Sequence, residues 1–397
     1  MSAENTFRCV TCTAPVNIAV IKYWGKRDEK LILPTNSSLS VTLGQDELRA
    51  KTSVAVSKDY TQDRMWLNGK EQSVNTPRIQ NVLKETRKRL SDSQNETELL
   101  QNVHIVSENN FPTAAGLASS AAGYACLVYS LSQLYGVKGE ISDIARLLLS
   151  CRQGSGSACR SIYGGFVAWN MGELEDGSDS YAVQVAPEAH WPEMRTLILV
   201  VNDQKKDVGS TEGMQTTIET SDLMKHRVTI MDRRMEAMTE AIKKRDFPTF
   251  GKLTMQDSNQ LHAVCLDTYP PIFYMTDVSR QVIRLVHAIN DIYEEVKVAY
   301  TFDAGPNACL YLLEEDVPRV LSLVQHFFPP SQDKGEKFVT GLSVPEVPVC
   351  SKDVSKISLQ QNPGAIKYII HTKVGPGPQV LTDPDESLFT ADGKPKL

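Results

Sequence analysis

The sequence has no long apolar run. No hydrophobic stretch approaches the ~20 residues that a membrane-spanning helix needs, so we expect no membrane partner. Residues 1–5 contain neither a basic segment nor an apolar core. We therefore expect no secretory signal and a cytoplasmic location.

Positive charge is also scarce. The 397 residues include 42 Lys and Arg against 48 Asp and Glu, which gives a net charge of −6. A chain with this balance has no overall basic field with which to hold nucleic acid, so we expect no nucleic-acid partner. The basic runs at 84–89 and 243–245 lie in helical patterns, where they are more typical of solvated faces.

The eight cysteines show no pattern of a disulfide framework or metal site. Cys9 and Cys12 form a single CxxC without a second pair, and the cysteines are spread through apolar surroundings that indicate reduced thiols. No HxxxH, HExxH or His/Cys cluster suggests a transition-metal site. The isolated His104 and His262 are interpreted as packed or surface residues.

What remains is the composition of an ordinary globular protein, with 41 % hydrophobic and 23 % charged residues. The length is sufficient for two domains with separate cores. Strands precede helices in each half, which predicts two α+β domains, at 1–192 and 193–397, instead of a Rossmann sheet. The last strand is predicted at 368–372, and the Gly-Pro repeat at 375–378 with the polar tail is expected to be poorly anchored.

The most informative stretch runs from Asn109 to Gly123. It links an alternating strand at 103–107 to a nearly all-apolar helix at 117–135 through a loop of Pro, Gly, Ala and Ser. A helix start offers free N–H groups and a positive dipole end, and small side chains let an anion approach. This pattern indicates a phosphate site, although a plain N-cap or a packing contact fits it too. It is not a Walker motif, because no Lys follows the glycines.

Three further segments carry polar residues in unusual places. Lys22 and Lys26 lie beside Tyr23 in an otherwise apolar segment and could grip an anion, or could be surface lysines of a strand. Arg160 ends the second Gly/Ser loop, 154–160, where it suits a bidentate contact with a carboxylate or phosphate, or is a surface residue after a turn. Asp303 follows a predicted strand at a Gly-Pro turn, where an acid is either catalytic or the start of an Asx turn.

Together these segments resemble the GHMP small-molecule kinase superfamily, whose phosphate loop has the pattern Pro-x-x-x-Gly-Leu-x-Ser-Ser-Ala. Residues 112–121 match that pattern. Within the superfamily the sequence is most similar to the mevalonate diphosphate decarboxylase family of animals and fungi. The resembling segments run in family order over nearly the whole chain: 14–27, 36–43, 106–123, 154–165, 257–271, 299–307 and 374–379.

The resemblance implies a fold and a reaction. The fold is a ribosomal-protein-S5-like first domain and a ferredoxin-like second domain, with the active site in the cleft between them. The reaction is the ATP-dependent decarboxylation of (R)-5-diphosphomevalonate to isopentenyl diphosphate, with release of ADP, phosphate and CO2, on the route to isoprenoids and sterols. ATP and Mg²⁺ are the implied cosubstrate and metal, and a homodimer is the implied assembly.

The resemblance also implies residue roles. Asp303 acts at the substrate hydroxyl as a base or an orienting carboxylate, Arg160 binds the substrate carboxylate, and Asn17 positions Arg160. The implied substrate-binding residues are Lys22, Tyr23, Trp24, Gly25, Lys26, Arg78, Ser155, Gly156, Ser157, Ala158, Cys159, Arg160 and Thr211. The implied ATP-binding residues are Asn109, Asn110, Pro112, Ala115, Gly116, Leu117, Ala118, Ser119, Ser120 and Ala121, with Ser119 or Ser120 facing the transferring phosphate or Mg²⁺.

Two comparisons with the superfamily define the alternatives. Related kinases carry an Asp shortly after the Ser-Gly turn, whereas here Ala158, Cys159 and Arg160 follow it, so the carboxylate must come from elsewhere. Residues 147–152 also form a six-residue insertion, which would add about 9 Å if helical and would displace Arg160 unless it loops out. A GHMP kinase that does not decarboxylate and a non-catalytic homologue are therefore the alternative functions.

Overall fold

A computed structural model describes residues 7–90, 102–111, 119–136, 156–201, 207–331 and 337–396. The phosphate loop from Pro112 to Ala118, the helix predicted at 141–152 with its insertion, and Ser155 lie outside the described residues.

The first half is built from two sheets. One has six strands in the order β17-β1-β6-β9-β7-β8 and the other has four in the order β11-β10-β5-β2. A small β3-β4 ribbon stands apart from both. The strands are β1 (Arg8–Pro15), β2 (Asn17–Ile21), β3 (Lys26–Asp28), β4 (Leu33–Pro34), β5 (Ser38–Thr42), β6 (Arg49–Val56), β7 (Arg64–Leu67), β8 (Lys70–Gln72), β9 (Val103–Asn109), β10 (Phe166–Trp169) and β11 (Ala182–Ala186).

Two helices pack on these sheets, α1 (Pro77–Leu90) and α2 (Ser119–Leu134). Helix α2 lies against β1 and β6, and Ala122, Ala125 and Cys126 are fully buried on it. Their short side chains let the helix approach the sheet closely, which agrees with the buried helix that the sequence predicts. The 3-10 helix Gly156–Ile162 also packs on α2 and carries Arg160.

The second half has one five-stranded sheet in the order β13-β14-β12-β16-β15. Its strands are β12 (Met194–Val200), β13 (Val298–Phe302), β14 (Ala308–Leu313), β15 (Val339–Gly341) and β16 (Tyr368–Lys373), and β17 (Gln379–Leu381) returns to the first half. Its helices are α3 (Ser210–Thr220), α4 (Asp222–Lys244), α5 (Phe247–Asp267), α6 (Asp277–Tyr293), α7 (Val317–Phe327) and the short α8 (Ser351–Val354), with 3-10 turns at Glu188–His190, Glu314–Asp316 and Pro384–Glu386.

Helix α5 connects the two halves, because it packs on β13 of its own sheet and also on β2 of the first half. Asp246 caps its start by accepting the N–H of Thr249, the usual way in which an acid satisfies a free N–H there. The sheets are mainly antiparallel, so the α+β prediction is confirmed and a Rossmann sheet is excluded.

The prediction of a loose C-terminal tail is wrong. The N–H of Gly375 donates to the carbonyl of Thr42 at 3.0 Å, and strand β17 pairs antiparallel with β1. A Cβ on Gly375 would lie 2.6 Å from the carbonyl oxygen of Leu43, so only glycine permits this backbone approach. The glycines that resemble a linker in the sequence are therefore a contact point, and β17, not β16, is the last strand.

Two other expectations concern membranes and cysteines. Among the described helices none is long and apolar enough to cross a bilayer. In the part of the chain that the structure describes, the cysteines are unbridged thiols, most of them buried, as the sequence predicts.

The anchoring of the tail can be tested at Phe389, which is 3 % exposed and packs with Ala55, Trp66 and Val106. We expect Phe389→Ala to lower the free energy of unfolding by about 3–5 kcal/mol, because it opens a cavity in that cluster. Val380→Ala in β17 is the control, since Val380 is 41 % exposed and its truncation should cost below about 0.5 kcal/mol. Equal denaturant midpoints for the two variants would contradict the anchoring.

Candidate active site

The centre of the candidate site is an ion pair between the two halves. The Nζ atom of Lys22 lies 2.5 Å from Oδ1 of Asp303. Lys22 follows the buried strand β2, and Asp303 follows the fully buried strand β13. Lys22 is 2 % exposed and Asp303 is 30 % exposed, so the carboxylate reaches solvent while its cation does not. The sequence analysis assigns Lys22 to the diphosphate, whereas here its ammonium contacts the candidate catalytic acid.

The backbone of Lys22 is held on both sides. Its N–H donates to Oδ2 of Asp257 at 2.6 Å. Its carbonyl accepts from Nδ2 of Asn36 at 3.0 Å and from Nη2 of Arg227 at 3.1 Å. A lysine with a fixed backbone has fewer positions available to its ammonium, which keeps the charge beside Asp303.

Arg160 lies buried, with 2 % exposure, on the 3-10 helix. Its Nη1 donates to Oγ of Ser38 at 2.6 Å, and its Nε donates to Oγ of Ser40 at 3.0 Å and to Oδ1 of Asn17 at 3.4 Å. Its Nη2 makes no hydrogen bond with the described residues. Burial lowers the pKa of Arg160, and the charge of Asp303 is among the groups that oppose this.

Asn17 also fixes the helix that carries Arg160. Its Nδ2 donates to the carbonyl of Ser157 at 3.2 Å and to Oγ of Ser161 at 2.7 Å. Asn17 therefore contacts both the guanidinium and its supporting turn, which is the geometry that a residue positioning Arg160 needs.

Two aromatic rings form a wall beside Arg160. The rings of Tyr23 and Trp169 lie 4.8 Å apart, and the Arg160 guanidinium lies 6.0 Å from the Trp169 ring. Gly156 fits against both rings, since a Cβ there would lie 2.6 Å from Trp169 and 3.2 Å from Tyr23. The Tyr23 hydroxyl is buried with no partner among the described residues, and burial raises the pKa of Tyr23. A polar substrate group would satisfy that hydroxyl.

Further cations lie near this wall. Burial lowers the pKa of Lys26, and the nearby charge of Arg78 lowers it further. Arg78 donates from Nη2 to Oγ1 of Thr211 at 2.9 Å. Within the described ranges neither Lys26 nor Arg78 forms an ion pair. Two mutually repelling cations are stabilised when an anion binds between them, which is what a diphosphate would do.

The other predicted substrate residues are mostly packed. The indole N–H of Trp24 donates to Thr217 at 3.1 Å, and Trp24 is 3 % exposed. Gly25 has φ +88° and faces Ile218. Ala158 and Cys159 are buried. Ser155 lies outside the described ranges.

Part of the predicted ATP site can be located. Asn109 ends β9, and its Oδ1 is buried with no partner among the described residues. Oδ1 of Asn110 accepts the N–H of Arg49 at 2.8 Å. Ser119, Ser120 and Ala121 form the first turn of α2, with Ser120 exposed. Residues 119–134 of the helix that the sequence predicts at 117–135 are thus helical.

The sequence analysis missed several supporting residues. Ser38 and Ser40 orient Arg160, and Asp257 with Arg227 holds Lys22. The serines recur every second residue on a buried strand, a signal that was available. Asp257 and Arg227 lie on two separate helices, and nothing in the local sequence connects them to Lys22.

His262 is buried beside the ion pair, at 3 % exposure, and its Nε2 has no partner among the described residues. Burial, reinforced by the charge of Lys22, lowers the pKa of His262 to about 4. The residue is therefore neutral near pH 7 and adds no charge to the site. This agrees with the packed role that the sequence suggests.

Comparisons with known proteins show what the whole chain is similar to. The sequence matches the Diphosphomevalonate decarboxylase-like N-terminal domain over residues 14–182 and the Mevalonate 5-diphosphate decarboxylase C-terminal domain over residues 196–381. It is 57 % identical over 398 residues to the diphosphomevalonate decarboxylase of Danio rerio, covering 98 % of this chain and 96 % of the relative.

Solved structures of mevalonate diphosphate decarboxylases also resemble this chain. Mevalonate diphosphate decarboxylase from Trypanosoma brucei superimposes with a TM-score of 0.84 at 41 % identity, covering 96 % of this chain and 100 % of that one. The structure described as MDDEF in complex with MVAPP, AMPPCP and magnesium has a TM-score of 0.74 at 30 % identity, covering 94 % and 99 %.

The fold and the cleft define the chain as a two-domain enzyme of the GHMP-kinase-like class. Within that class, the identity and coverage place it among the decarboxylases. The chain belongs to the diphosphomevalonate decarboxylase family, and its reaction is the ATP-dependent decarboxylation of mevalonate diphosphate.

Arg160 can be tested by the conservative change Arg160→Lys. An ammonium cannot bond Ser38 and Ser40 and at the same time present two N–H groups to a substrate carboxylate. We expect kcat/KM for mevalonate diphosphate to fall about 10- to 100-fold, as for a lost charged hydrogen bond. Steady-state kinetics measure this, with Arg64→Lys as a control at an exposed pair with Glu71. Unchanged KM and kcat would remove Arg160 from the site.

His262 predicts a pH dependence of stability. The unfolded chain protonates it from about pH 6.5 downward, whereas the folded protein does so only near 4. The neutral, buried His262 thus costs the folded state nothing above about pH 6.5. As the pH falls from 6.5 toward 4, the unfolded chain binds the proton first and the free energy of unfolding decreases. Denaturant unfolding at pH 7.5 and 5 should show a smaller acid loss in His262→Gln than in the unmodified protein. His226→Gln, at an exposed residue, should keep the full loss, and equal losses in all three proteins would refute the assignment.

Proposed function

We propose that the Lys22–Asp303 pair and Arg160 are the centre at which this chain decarboxylates (R)-5-diphosphomevalonate to isopentenyl diphosphate. The observation that carries the proposal is a solvent-reaching carboxylate, held against a buried lysine and within the electrostatic influence of a buried arginine. Asp303 orients the tertiary hydroxyl of the substrate and accepts its proton. Arg160 binds the substrate carboxylate through Nη2, which makes no hydrogen bond with the described residues.

The chemistry explains why these groups are needed. The substrate has no carbonyl that could take up the electrons released when CO2 leaves. The hydroxyl oxygen therefore attacks the γ-phosphorus of ATP, the bond to ADP breaks, and the hydroxyl proton passes to Asp303. The carbon–oxygen bond of the new phosphate ester then breaks, and phosphate leaves with its electron pair. The electrons of the bond to the carboxylate carbon form the double bond as CO2 departs.

The diphosphate is proposed to bind at the remaining cations. Lys26 and Arg78 have no carboxylate partner among the described residues, and Thr211 adds a hydroxyl beside Arg78. Tyr23, Trp24 and Gly25, with the 3-10 helix from Gly156, form the wall against which the carbon skeleton lies. Ser155, Ser157, Ala158 and Cys159 complete the proposed substrate loop.

ATP is proposed to bind at residues 109–121, with its phosphates at the start of α2. A similar structure holds AMPPCP and magnesium with MVAPP. Among the described residues no cluster of three His, Cys, Asp or Glu side chains could hold a metal alone. This fits Mg²⁺, which usually keeps waters and binds substrate phosphates with few protein ligands. Ser119 or Ser120 would supply a hydroxyl, and the ion would neutralise charge on the phosphates.

Three broader proposals rest on the same resemblance. We propose that the domains divide at 192/193, with the tail returning to the first sheet through β17. We further propose that the chain acts as a homodimer, which light scattering on the purified protein would measure, and that it works in the cytoplasm.

The reaction is distinguished from the two alternatives by its products. Incubation with ATP and 1-¹⁴C-labelled mevalonate diphosphate should release one CO2 for each ADP formed. A stable phosphorylated acid without CO2 would identify a kinase. Normal substrate binding with negligible ADP formation would identify a non-catalytic homologue.

The role of Asp303 predicts the behaviour of Asp303→Asn. An amide cannot accept the hydroxyl proton, so we expect kcat to fall by about two to four orders of magnitude while ATP binding stays near normal. Steady-state kinetics and nucleotide titration measure the two effects. Asp291→Asn, at an exposed position on α6, is the control. Near-normal turnover in Asp303→Asn would exclude the proposed role.

A further inference from the structure

Two adjacent residues of helix α5 contact both sides of the central ion pair. Asp257 accepts the backbone N–H of Lys22 at 2.6 Å, and Ser258 accepts the backbone N–H of Phe302 at 3.0 Å. Phe302 immediately precedes Asp303. One turn of α5 thus holds the backbone beside the cation and the backbone beside the anion, although these lie on different halves of the protein.

The hydrogen bonds of Asp257 and Arg227 to the backbone of Lys22 are buried. Asp257 and Arg227 each have 0 % side-chain exposure, and the two Nη atoms of Arg227 bond the two oxygens of Asp257 at 3.0 Å. Arg234 adds a third bond, from Nη1 to Oδ1 at 2.8 Å. Burial alone would raise the pKa of Asp257, but Arg227, the Lys22 N–H and Arg234 hold it below its ordinary value.

Arg227 extends the same network to the other side of the Lys22 peptide. Its Nη2 bonds Oδ2 of Asp257 and also the carbonyl oxygen of Lys22. The carboxylate therefore fixes the N–H of Lys22 directly and its carbonyl through the arginine. In a dry interior such charged hydrogen bonds are short and directional, which suits them to fixing a position.

We propose that Asp257 is a positioning residue of the reaction: together with Ser258 it sets the place of the Lys22 ammonium relative to the Asp303 carboxylate. This inference rests on the proposed role of Asp303. Asp257 does not contact the carboxylate of Asp303 or the proposed substrate position, and it acts through the peptide of Lys22. Displacement of a catalytic group by about 1 Å can cost about 100-fold in rate.

Asp257→Asn tests the proposal, because it keeps the shape of the side chain and removes the charge that holds Arg227 and Arg234. We expect kcat to fall about 10- to 100-fold with KM for mevalonate diphosphate within about 3-fold of normal.

Asp353→Asn is the matched control. Asp353 is also buried and is held by the Nε and Nη2 atoms of Arg319, at 2.8 and 2.6 Å. The described hydrogen bonds of this pair do not reach Lys22 or Asp303. The control should lose thermal stability but keep kcat and KM. Wild-type kcat in Asp257→Asn, or a loss of activity matched by that of Asp353→Asn, would overturn the proposal.

A second variant covers the case in which Asp257→Asn does not fold. Ser258→Ala removes only the acceptor for the N–H of Phe302 and should give the same changes to a smaller degree, about 3- to 10-fold in kcat. A folded Ser258→Ala protein with an unchanged kcat would count against the proposal. Asp303→Asn separates the proposed function from this inference. Full activity in Asp303→Asn refutes the proposed function. An inactive Asp303→Asn together with a normal Asp257→Asn refutes only this inference.

Discussion

The contact between the Lys22 ammonium and the Asp303 carboxylate is the interaction on which the rest of the site depends. Its two members come from strands in different sheets, β2 and β13, which share no backbone hydrogen bonds. The geometry of the pair is therefore set by whatever seats one sheet against the other. Helix α5 does this, since it packs on both strands and bonds the backbone beside each charge.

The candidate site is rich in positive charge, whereas the net charge of the whole chain is negative. The whole sequence carries a net charge of −6, but the candidate site combines Lys22, Lys26, Arg78 and Arg160 with the carboxylate of Asp303. Burying cations is costly unless they are paired or hydrogen-bonded. A substrate with both a diphosphate and a carboxylate supplies the missing anions, which gives the cleft a physical reason to prefer such a molecule.

Several elements were predictable because their signals are local. The Asn68-Gly69 dipeptide, which favours a two-residue hairpin, joins β7 to β8 with φ 48° and 75°. Helix α1 begins at Pro77, and strand β13 ends at Phe302, directly before Asp303. The convergence of an arginine from the first half with an acid from the second was also inferred, but from the family resemblance and not from the residues.

Other features escaped prediction because their partners are distant. The glycines after 374 resemble a flexible linker until Thr42 and Leu43 are seen beside them. Lys22 resembles an anion ligand until the position of Asp303 is known. Asp257 has no local signal, since its role depends on contacts 235 residues away in the chain.

The sequence by itself determined which segments form strands, turns and helices, and which polar residues stand out from apolar surroundings, because both depend on neighbours along the chain. The tertiary structure alone decided which charges meet, which hydroxyls orient Arg160, and which buried carboxylate holds Lys22. Those contacts come from the packing of separate elements. A single helix, α5, carries groups toward both halves, and no pattern within its own residues specifies what each group will face.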